Sequence, residues 1–422
     1  MSTTFGRRWA RGVAAAAGAL LVGLACGTTQ GSGSGAAANV PGVTSSEILI
    51  GTTTPLSGAA SAYATISRGS TAYFDYLNAH GGVNGRKITY KVYDDAYDPS
   101  KSVPLVRQLI TQDQVFAVFN ELGTPVNLAT RDYINSQKVP DLFVATGSSH
   151  WSADYKQFPW TIGYQPDYPS ESKIYAKDIL SNHPNAKIGV LYQNDDYGMD
   201  YLNGLKTGLG SKASTMIVDT ESYEANAADV FSQTAALKSK GADLLFIAAT
   251  PKFAAQAIAT SSKLGWNPTI YLNSVSNQVA TVKGAIAASS PNAAEGMTSV
   301  AYLKDPANQA KWGNDAGMKL YMSIMAQFCA GCDAVNDGNY IYGMSVAWAF
   351  QRVLEKAGKN GVTRDNVMKQ AASMKNFPID TLLPGITVTT SDVDYAPLQA
   401  VQLQRFNGKQ WELFGDVMSS EK

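Results

Sequence analysis

The sequence predicts an α/β fold of two doubly wound, Rossmann-like lobes, and three observations carry that expectation. From Glu47 onward, short β-branched runs alternate with stretches whose apolar residues recur at helical spacing. This is the pattern of repeated β-α-β units, and hence of parallel sheets covered by helices on both faces. After Trp160-Thr161-Ile162-Gly163 the alternation restarts as a second series. The C-terminal third is then helix-rich before strand-like residues return at 399–406. Late strands must join sheets already laid down, so the chain is expected to cross between the lobes more than once.

In the first series, Glu47-Ile48-Leu49-Ile50-Gly51 reads as a strand ended by the turn residues Pro55-Leu56-Ser57-Gly58. A helix follows with Tyr63, Ile66, Ala72, Tyr73, Tyr76 and Leu77 on one face, and His80-Gly81-Gly82-Val83-Asn84-Gly85 stops it. Strands are predicted over 88–93, 115–120 and 142–145, with helices over 102–112 and 126–136 between them. In the second series, helices over 171–180, 199–209, 228–240 and 253–264 alternate with strands over 187–192, 215–221, 244–248 and 269–272. The last helices are expected over 309–327, 342–356 and 364–374. Residues 45–163 with about 299–383 are assigned to lobe 1, and about 164–298 with 384–422 to lobe 2.

The N-terminus carries a basic patch (Arg7, Arg8, Arg11) and an uninterrupted apolar run over 12–25 that ends at Cys26. These are the parts of a secretory signal peptide, 1–25, and the run is shorter than the roughly 20 residues a membrane span needs. Val22-Gly23-Leu24-Ala25-Cys26 resembles a lipobox, in which the Cys is acylated and becomes the mature N-terminus; Gly23 departs from the usual pattern. The alternative is an ordinary signal peptide with an incidental Cys. The uncharged Gly/Ser/Thr/Ala segment behind it reads as a flexible tether, 26–44. The whole is expected to sit outside the cytoplasm, lipid-anchored to the outer face of the membrane.

The chain balances 34 Lys and Arg against 34 Asp and Glu. No basic run survives past the leader, so nucleic acid is not an expected partner. Cys329 and Cys332 form a Cys-Ala-Gly-Cys unit. Cytosolic spacing of this kind suggests redox chemistry or half a zinc site. In an exported chain a local structural disulfide is the better reading, and no second Cys pair or His cluster completes a metal site. No cofactor is called for.

In open sheets of this type ligands sit beyond the carboxyl ends of strands. That rule nominates Ser57-Gly58, Gly123-Thr124, Thr146-Gly147-Ser148, Asp196-Tyr197-Gly198, Thr250-Pro251 and Asn273-Ser274. Each precedes a helix, whose free N–H groups and dipole suit an anion or a capping hydroxyl.

The chain resembles the type I periplasmic binding proteins of ABC importers, in the branch that binds Leu, Ile and Val. The resemblance is carried by Ile48-Leu49-Ile50-Gly51 with Pro55-Leu56-Ser57-Gly58, by Asn78-Ala79-His80-Gly81-Gly82-Val83-Asn84-Gly85-Arg86, and by Asp94-Asp95 with Asp98-Pro99. Lys187-Ile188-Gly189-Val190-Leu191 and Asp196-Tyr197-Gly198 continue it, in order, toward the C-terminus. It implies two lobes joined by a multi-strand hinge that closes around a solute, with an ABC transporter permease as partner. It also implies a ligand carboxylate held by Thr124 and by the loop of Thr146 and Ser148. Tyr63 matches a rim aromatic, Tyr197 a tyrosine that covers the ligand, and Thr250 stands where the family has another tyrosine. The acid that meets an α-ammonium should fall near Ser274 to Ser276, where no carboxylate occurs. A buried unpaired charge is costly, so the expected solute is a branched-chain amino acid, with Glu121 or Asp196 substituting for the acid, or a ligand without an α-amino group: an aromatic or aliphatic carboxylate, an amide or another neutral solute. Asn120, Trp151, Tyr164 and Tyr168 are further candidates for the wall.

An enzyme is not expected. The three histidines stand apart, no nucleophile elbow or phosphate loop occurs, and Asp94-Asp95 reads as a strand-end turn rather than a catalytic pair. The competing reading is a ligand-sensing module for a separate membrane partner. A monomer binding one small-molecule solute is expected.

Overall fold

The computed structural model describes residues 40–419. The expected signal peptide, Cys26 and most of the expected tether lie outside the described residues. Its end at 44 comes late, however. Val40 and Val43 pack against the first core, and Leu49 N donates to Gly42 O at 2.7 Å.

Two sheets are present among the described residues, as the alternation predicts. The first contains β1 (Glu47–Thr54), β2 (Lys87–Asp94), β3 (Ala117–Phe119), β4 (Asp141–Val144) and β5 (Thr161–Gly163), in the spatial order β2-β1-β3-β4-β5. All its pairs are parallel. Its helices are α1 (Ala64–Ala79), α2 (Pro99–Thr111), α3 (Thr124–Ser136) and α4 (His150–Ala153).

The second sheet contains β6 (Ile188–Gln193), β7 (Ile217–Tyr223), β8 (Leu244–Ala248), β9 (Thr269–Leu272), β10 (Thr298–Ala301), β11 (Ala400–Phe406) and β12 (Trp411–Ser419). Their order is β12-β11-β10-β9-β8-β6-β7, and only the pairs made by β11 are antiparallel. Its helices are α5 (Tyr168–Asn182), α6 (Asp196–Leu209), α7 (Ala213–Met216), α8 (Phe231–Ser239), α9 (Pro251–Lys263) and α10 (Val279–Ala287). After β10 the chain returns to the first core with α11 (Gln309–Trp312), α12 (Ala316–Phe328), α13 (Asn339–Ala357) and α14 (Arg364–Ala371). It therefore passes between the sheets after β5, after β10 and before β11. Ile386, Val388, Tyr395 and Leu398 still belong to the first core, so the last crossing comes near 399 rather than 384. β10 likewise places 298–301 with the second sheet.

Strand β8 is buried along its whole length, the environment that its Leu-Leu-Phe-Ile-Ala run requires. Helix starts predicted at 102, 126, 171 and 253 fall two to three residues late. The reason is the polar first turn: α2, α3, α5 and α9 carry Pro there, and Asp98 and Asp167 cap α2 and α5 with their side chains. Helix α10 escaped the periodicity argument because Val279-Ala280-Thr281-Val282 and Ala285-Ile286-Ala287 leave it apolar nearly all round. The helix expected over 309–327 breaks at Gly313, and Asp315 caps the second piece by accepting from Met318 N.

Helices α1 and α13 cross in backbone contact. A Cβ on Gly69 would stand 2.2 Å from Tyr340 O, and one on Gly343 2.0 Å from Ile66 O. Ser70 Oγ donates to Gly343 O at 2.9 Å across the same crossing. Cys329 and Cys332 are joined by a disulfide just after α12.

Candidate functional site

A cavity of about 110 Å³ lies between the two sheets, lined from both. Four of the six strand-end segments reach it, through Gly123 and Thr124, Tyr197, Thr250 and Ser274, and Tyr63 and Tyr168 line it too.

One end of the cavity faces inward with hydrogen-bond donors. Thr124 begins α3, and its Oγ1 pairs with Thr146 Oγ1 at 2.6 Å. Gly123 holds φ +103 there, and a Cβ would meet the Tyr97 ring at 2.4 Å, so glycine lets that ring close over the helix start. The hydroxyls of Tyr97, Tyr168 and Tyr197 each accept an amide proton, from Gln193 Nε2 (3.4 Å), Gln165 Nε2 (3.1 Å) and Asn273 Nδ2 respectively. Each therefore keeps its own proton to give away. Burial raises all three phenols well above their ordinary range, so they remain protonated donors.

Tyr97 is placed by backbone that non-glycine residues seldom adopt. Ala96 and Tyr97 have φ of +53 and +63. Asp94 Oδ1 accepts from Ala96 N (2.9 Å) and Asp95 Oδ1 from Tyr97 N (2.8 Å), which holds the turn. The adjacent Asp pair is thus a strand-end turn, as expected.

Other predicted residues are placed elsewhere. Thr146 stands behind Thr124. Ser148 does not line the cavity: its Oγ donates to Asp200 Oδ2 on α6 at 2.8 Å. Ser274 lines the wall, but its Oγ donates to Glu171 Oε2 (2.6 Å) and its N to Glu171 Oε1 (2.8 Å). Tyr175 OH stands 2.9 Å from that carboxylate and 2.9 Å from Leu272 O, so Glu171 is engaged behind Ser274 by at least the two Ser274 donors. Glu121 is enclosed by Thr53 (2.8 Å), Ser102 (2.9 Å) and Thr130 (2.7 Å) in the first core, and Asp196 is half exposed beside His150. Neither lines the cavity. Asn120, Trp151 and Tyr164 are buried outside it, Asn120 on Phe143 O and Tyr164 on Ser345.

Sequence reasoning missed Tyr97, Tyr302, Asp305, Gln278, Asn339, Tyr342 and Trp411, all of which line the cavity. Tyr97 lay inside the Asp94-to-Pro99 motif and was within reach, and Asn339 and Tyr342 lie in the first turn of α13, a helix expected over 342–356; the others sit on crossings or on unpredicted elements.

The lobes touch at both rims. Asp200 accepts from Ser148 Oγ, Ser149 N (2.9 Å) and Ser149 Oγ (2.9 Å). On the opposite side Ala280 N donates to Asn336 O at 2.9 Å and Lys283 Nζ to Asn336 Oδ1 at 2.7 Å. Asp200→Ala is expected to weaken binding of any solute held between the lobes by roughly three- to tenfold, because it removes bonds that hold one lobe against the other. Calorimetry on two unlike solutes checks this; a loss confined to one of them would tie Asp200 to that solute instead of to closure.

A family model described as periplasmic binding protein matches residues 47–410. A Leu/Ile/Val-binding protein homolog 2 of Brucella abortus (strain 2308) is 24% identical over 206 residues, 49% of this chain and 54% of that protein. Homolog 7 of Brucella melitensis biotype 1 is 28% identical over 211 residues, 48% of this chain and 52% of that protein. The chain thus spans about half the length of the curated relatives it matches. Among solved structures, a branched chain amino acid ABC transporter protein of Thermus thermophilus with bound valine superposes with TM-score 0.77 at 14% identity, covering 89% of this chain and 97% of the other. A fatty acid ABC transporter substrate-binding protein of Thermomonospora curvata gives TM-score 0.74 at 20% identity, covering 90% and 94%. At these identities the structures show a shared fold.

Proposed function

This chain belongs to the periplasmic binding protein family, and from that premise we propose that it is an extracytoplasmic solute-binding protein that closes two lobes around one small carboxylate and delivers it to an ABC importer. The observation that carries the reading is the donor-facing end of the cavity. Three tyrosine hydroxyls, each with an acceptor site already filled from behind, keep a proton to give, and they line the cavity with Thr124 at a helix start, whose hydroxyl shares a hydrogen bond with Thr146. A carboxylate satisfies such a set without a cationic partner. The rim bonds between lobes fit hinge closure around the solute. Acylation of Cys26 would hold the protein at the membrane where a permease sits.

The relatives' names point to branched-chain amino acids. Against an α-amino acid, the segment Ser274 to Ser276 carries no acid, and Glu171 behind it already accepts from Ser274 N and Ser274 Oγ. A carboxylate without an α-ammonium fits better, since an enclosed ammonium there would go unpaired.

The test is a thermal-shift screen followed by calorimetry, over branched-chain amino acids, their des-amino acids, aromatic acids and amides. A binder at a hundredfold excess over its Kd stabilises the fold by about 2.7 kcal/mol. The des-amino acids are expected to bind more tightly than the matching amino acids. A screen in which nothing raises the melting temperature would overturn the assignment.

A further inference from the structure

The two lobes also meet at the wall of the cavity itself. Tyr97 follows β2 in the first lobe, and its hydroxyl accepts from Gln193 Nε2, at the end of β6 in the second, at 3.4 Å. Tyr97 lines the cavity and Gln193 stands behind it. The Gln193 amide is oriented from both sides: Nε2 also donates to Asp195 Oδ2 at 2.6 Å, and Oε1 lies 3.1 Å from Tyr223 OH. Oε1 can only accept, so the proton of that bond is the tyrosine's. Thr250 Oγ1, 3.4 Å from the same hydroxyl, has a proton of its own. The Tyr223 hydroxyl in turn accepts from Thr250 N at 2.9 Å, at the start of α9.

These bonds all run one way. Thr250 N gives to Tyr223, Tyr223 to Gln193 and Gln193 to Tyr97, so each link polarises the next. The second lobe supplies every link but the last. The chain ends on a first-lobe hydroxyl that donates to no protein group among the described residues. Tyr97 is held in that place at a conformational cost. Ala96 and Tyr97 both have positive φ, and Asp94 and Asp95 each accept a backbone N–H to fix them. Gly123 leaves room for the ring, which a Cβ would meet at 2.4 Å. Backbone of this kind persists where the surroundings over-determine it, and it gathers at ligand clamps.

We propose that Tyr97 is a specificity-determining residue that couples recognition to closure: its hydroxyl donates to an oxygen of the solute, and the second lobe strengthens that donor through Gln193 and Tyr223 when the lobes meet. An anionic acceptor gains more from a strengthened donor than a neutral one does, so closure itself favours an acid over its amide. Gln193 and Tyr223 are positioning residues, acting on the solute through Tyr97. The proposal rests on the carboxylate-binding reading above and adds which side chain discriminates and how the other lobe takes part.

The test uses 4-methylpentanoate, benzoate and the amide of each, by calorimetry on the wild type, Tyr97→Phe, Gln193→Met and the double variant. Tyr97→Phe is expected to weaken the acids about tenfold and the amides about threefold or less. Gln193→Met is expected to weaken the acids about three- to tenfold and to lower the acid-to-amide ratio. In the Tyr97→Phe background the same change should alter acid affinity by no more than about twofold, because its effect passes through the missing hydroxyl. Tyr223→Phe cuts the chain one link farther back and should repeat the pattern; melting temperatures without solute report whether each variant is folded. A Gln193→Met loss as large in Tyr97→Phe as in the wild type would overturn the coupling and leave the carboxylate reading standing. Acid-to-amide ratios unchanged in every variant would overturn it too. If neither acid binds the wild type, both readings fall together.

Discussion

Gly343→Val is expected to cost the protein at least about 3 kcal/mol and to disorganise the binding end of the first lobe. Overpacking a filled core costs about 1–3 kcal/mol when side chains can move aside. Here the obstacle is backbone: the new Cβ would stand 2.0 Å from Ile66 O, 3.0 Å from Ile66 C and 2.9 Å from Ser70 N. Relief requires α1 and α13 to separate, which breaks the bond from Ser70 Oγ to Gly343 O. It also shears the aromatic packing in which Phe350 contacts Phe74 and Phe119. Tyr63 directly precedes α1, and Asn339, Ile341 and Tyr342 lie in the first turns of α13, so both walls of the cavity move with the crossing. Denaturant unfolding measures the loss. Gly284→Ala is the control: it lies inside α10 with nothing within 4 Å of the added Cβ, and should stabilise by about 0.5–1 kcal/mol. A Gly343→Val protein within about 1 kcal/mol of wild type would show that the helices do not meet so closely.

Thr124→Val is expected to weaken binding of carboxylates by about ten- to a hundredfold, the worth of a hydrogen bond to a charged group in an enclosed site. Valine keeps the branched shape at a buried position, and Thr146 Oγ1 still has Ser148 N at 3.3 Å after losing its 2.6 Å partner. Stability without solute should therefore change little. The loss should be greater for an acid than for its neutral amide, which separates it from the uniform loss expected of Asp200→Ala. Equal affinities for wild type and Thr124→Val, measured by calorimetry, would remove Thr124 from the site.

What could be read from the sequence followed from local signals. Strands such as Leu244–Ala248 and Thr269–Leu272 were found to the residue, because fully buried parallel strands are short apolar runs. Strand β12 was not, since Glu412, Gly415, Asp416 and Val417 are exposed and only Trp411 of the strand is fully buried. For the site, position after a strand nominated Thr124 and Ser148 equally. Only the loop geometry separates them: Tyr168 N donates to Gly147 O at 2.8 Å, and Ser148 is committed to Asp200. Asp305 was beyond sequence reasoning for another reason: it follows β10 on a crossing between sheets, and such a place has no signature in a list of residues.

The rim bonds on Asp200 have a kinetic consequence. They run from protein to protein, so under the proposed closure they must break before any solute departs, whatever its chemistry. They add the same increment to the barrier for opening in every complex, and so set a common floor under residence times. A common increment slows every escape by the same factor and leaves the ratios between solutes unchanged, so Asp200→Ala should shorten all residence times alike while solutes of unlike affinity still differ in how fast they leave.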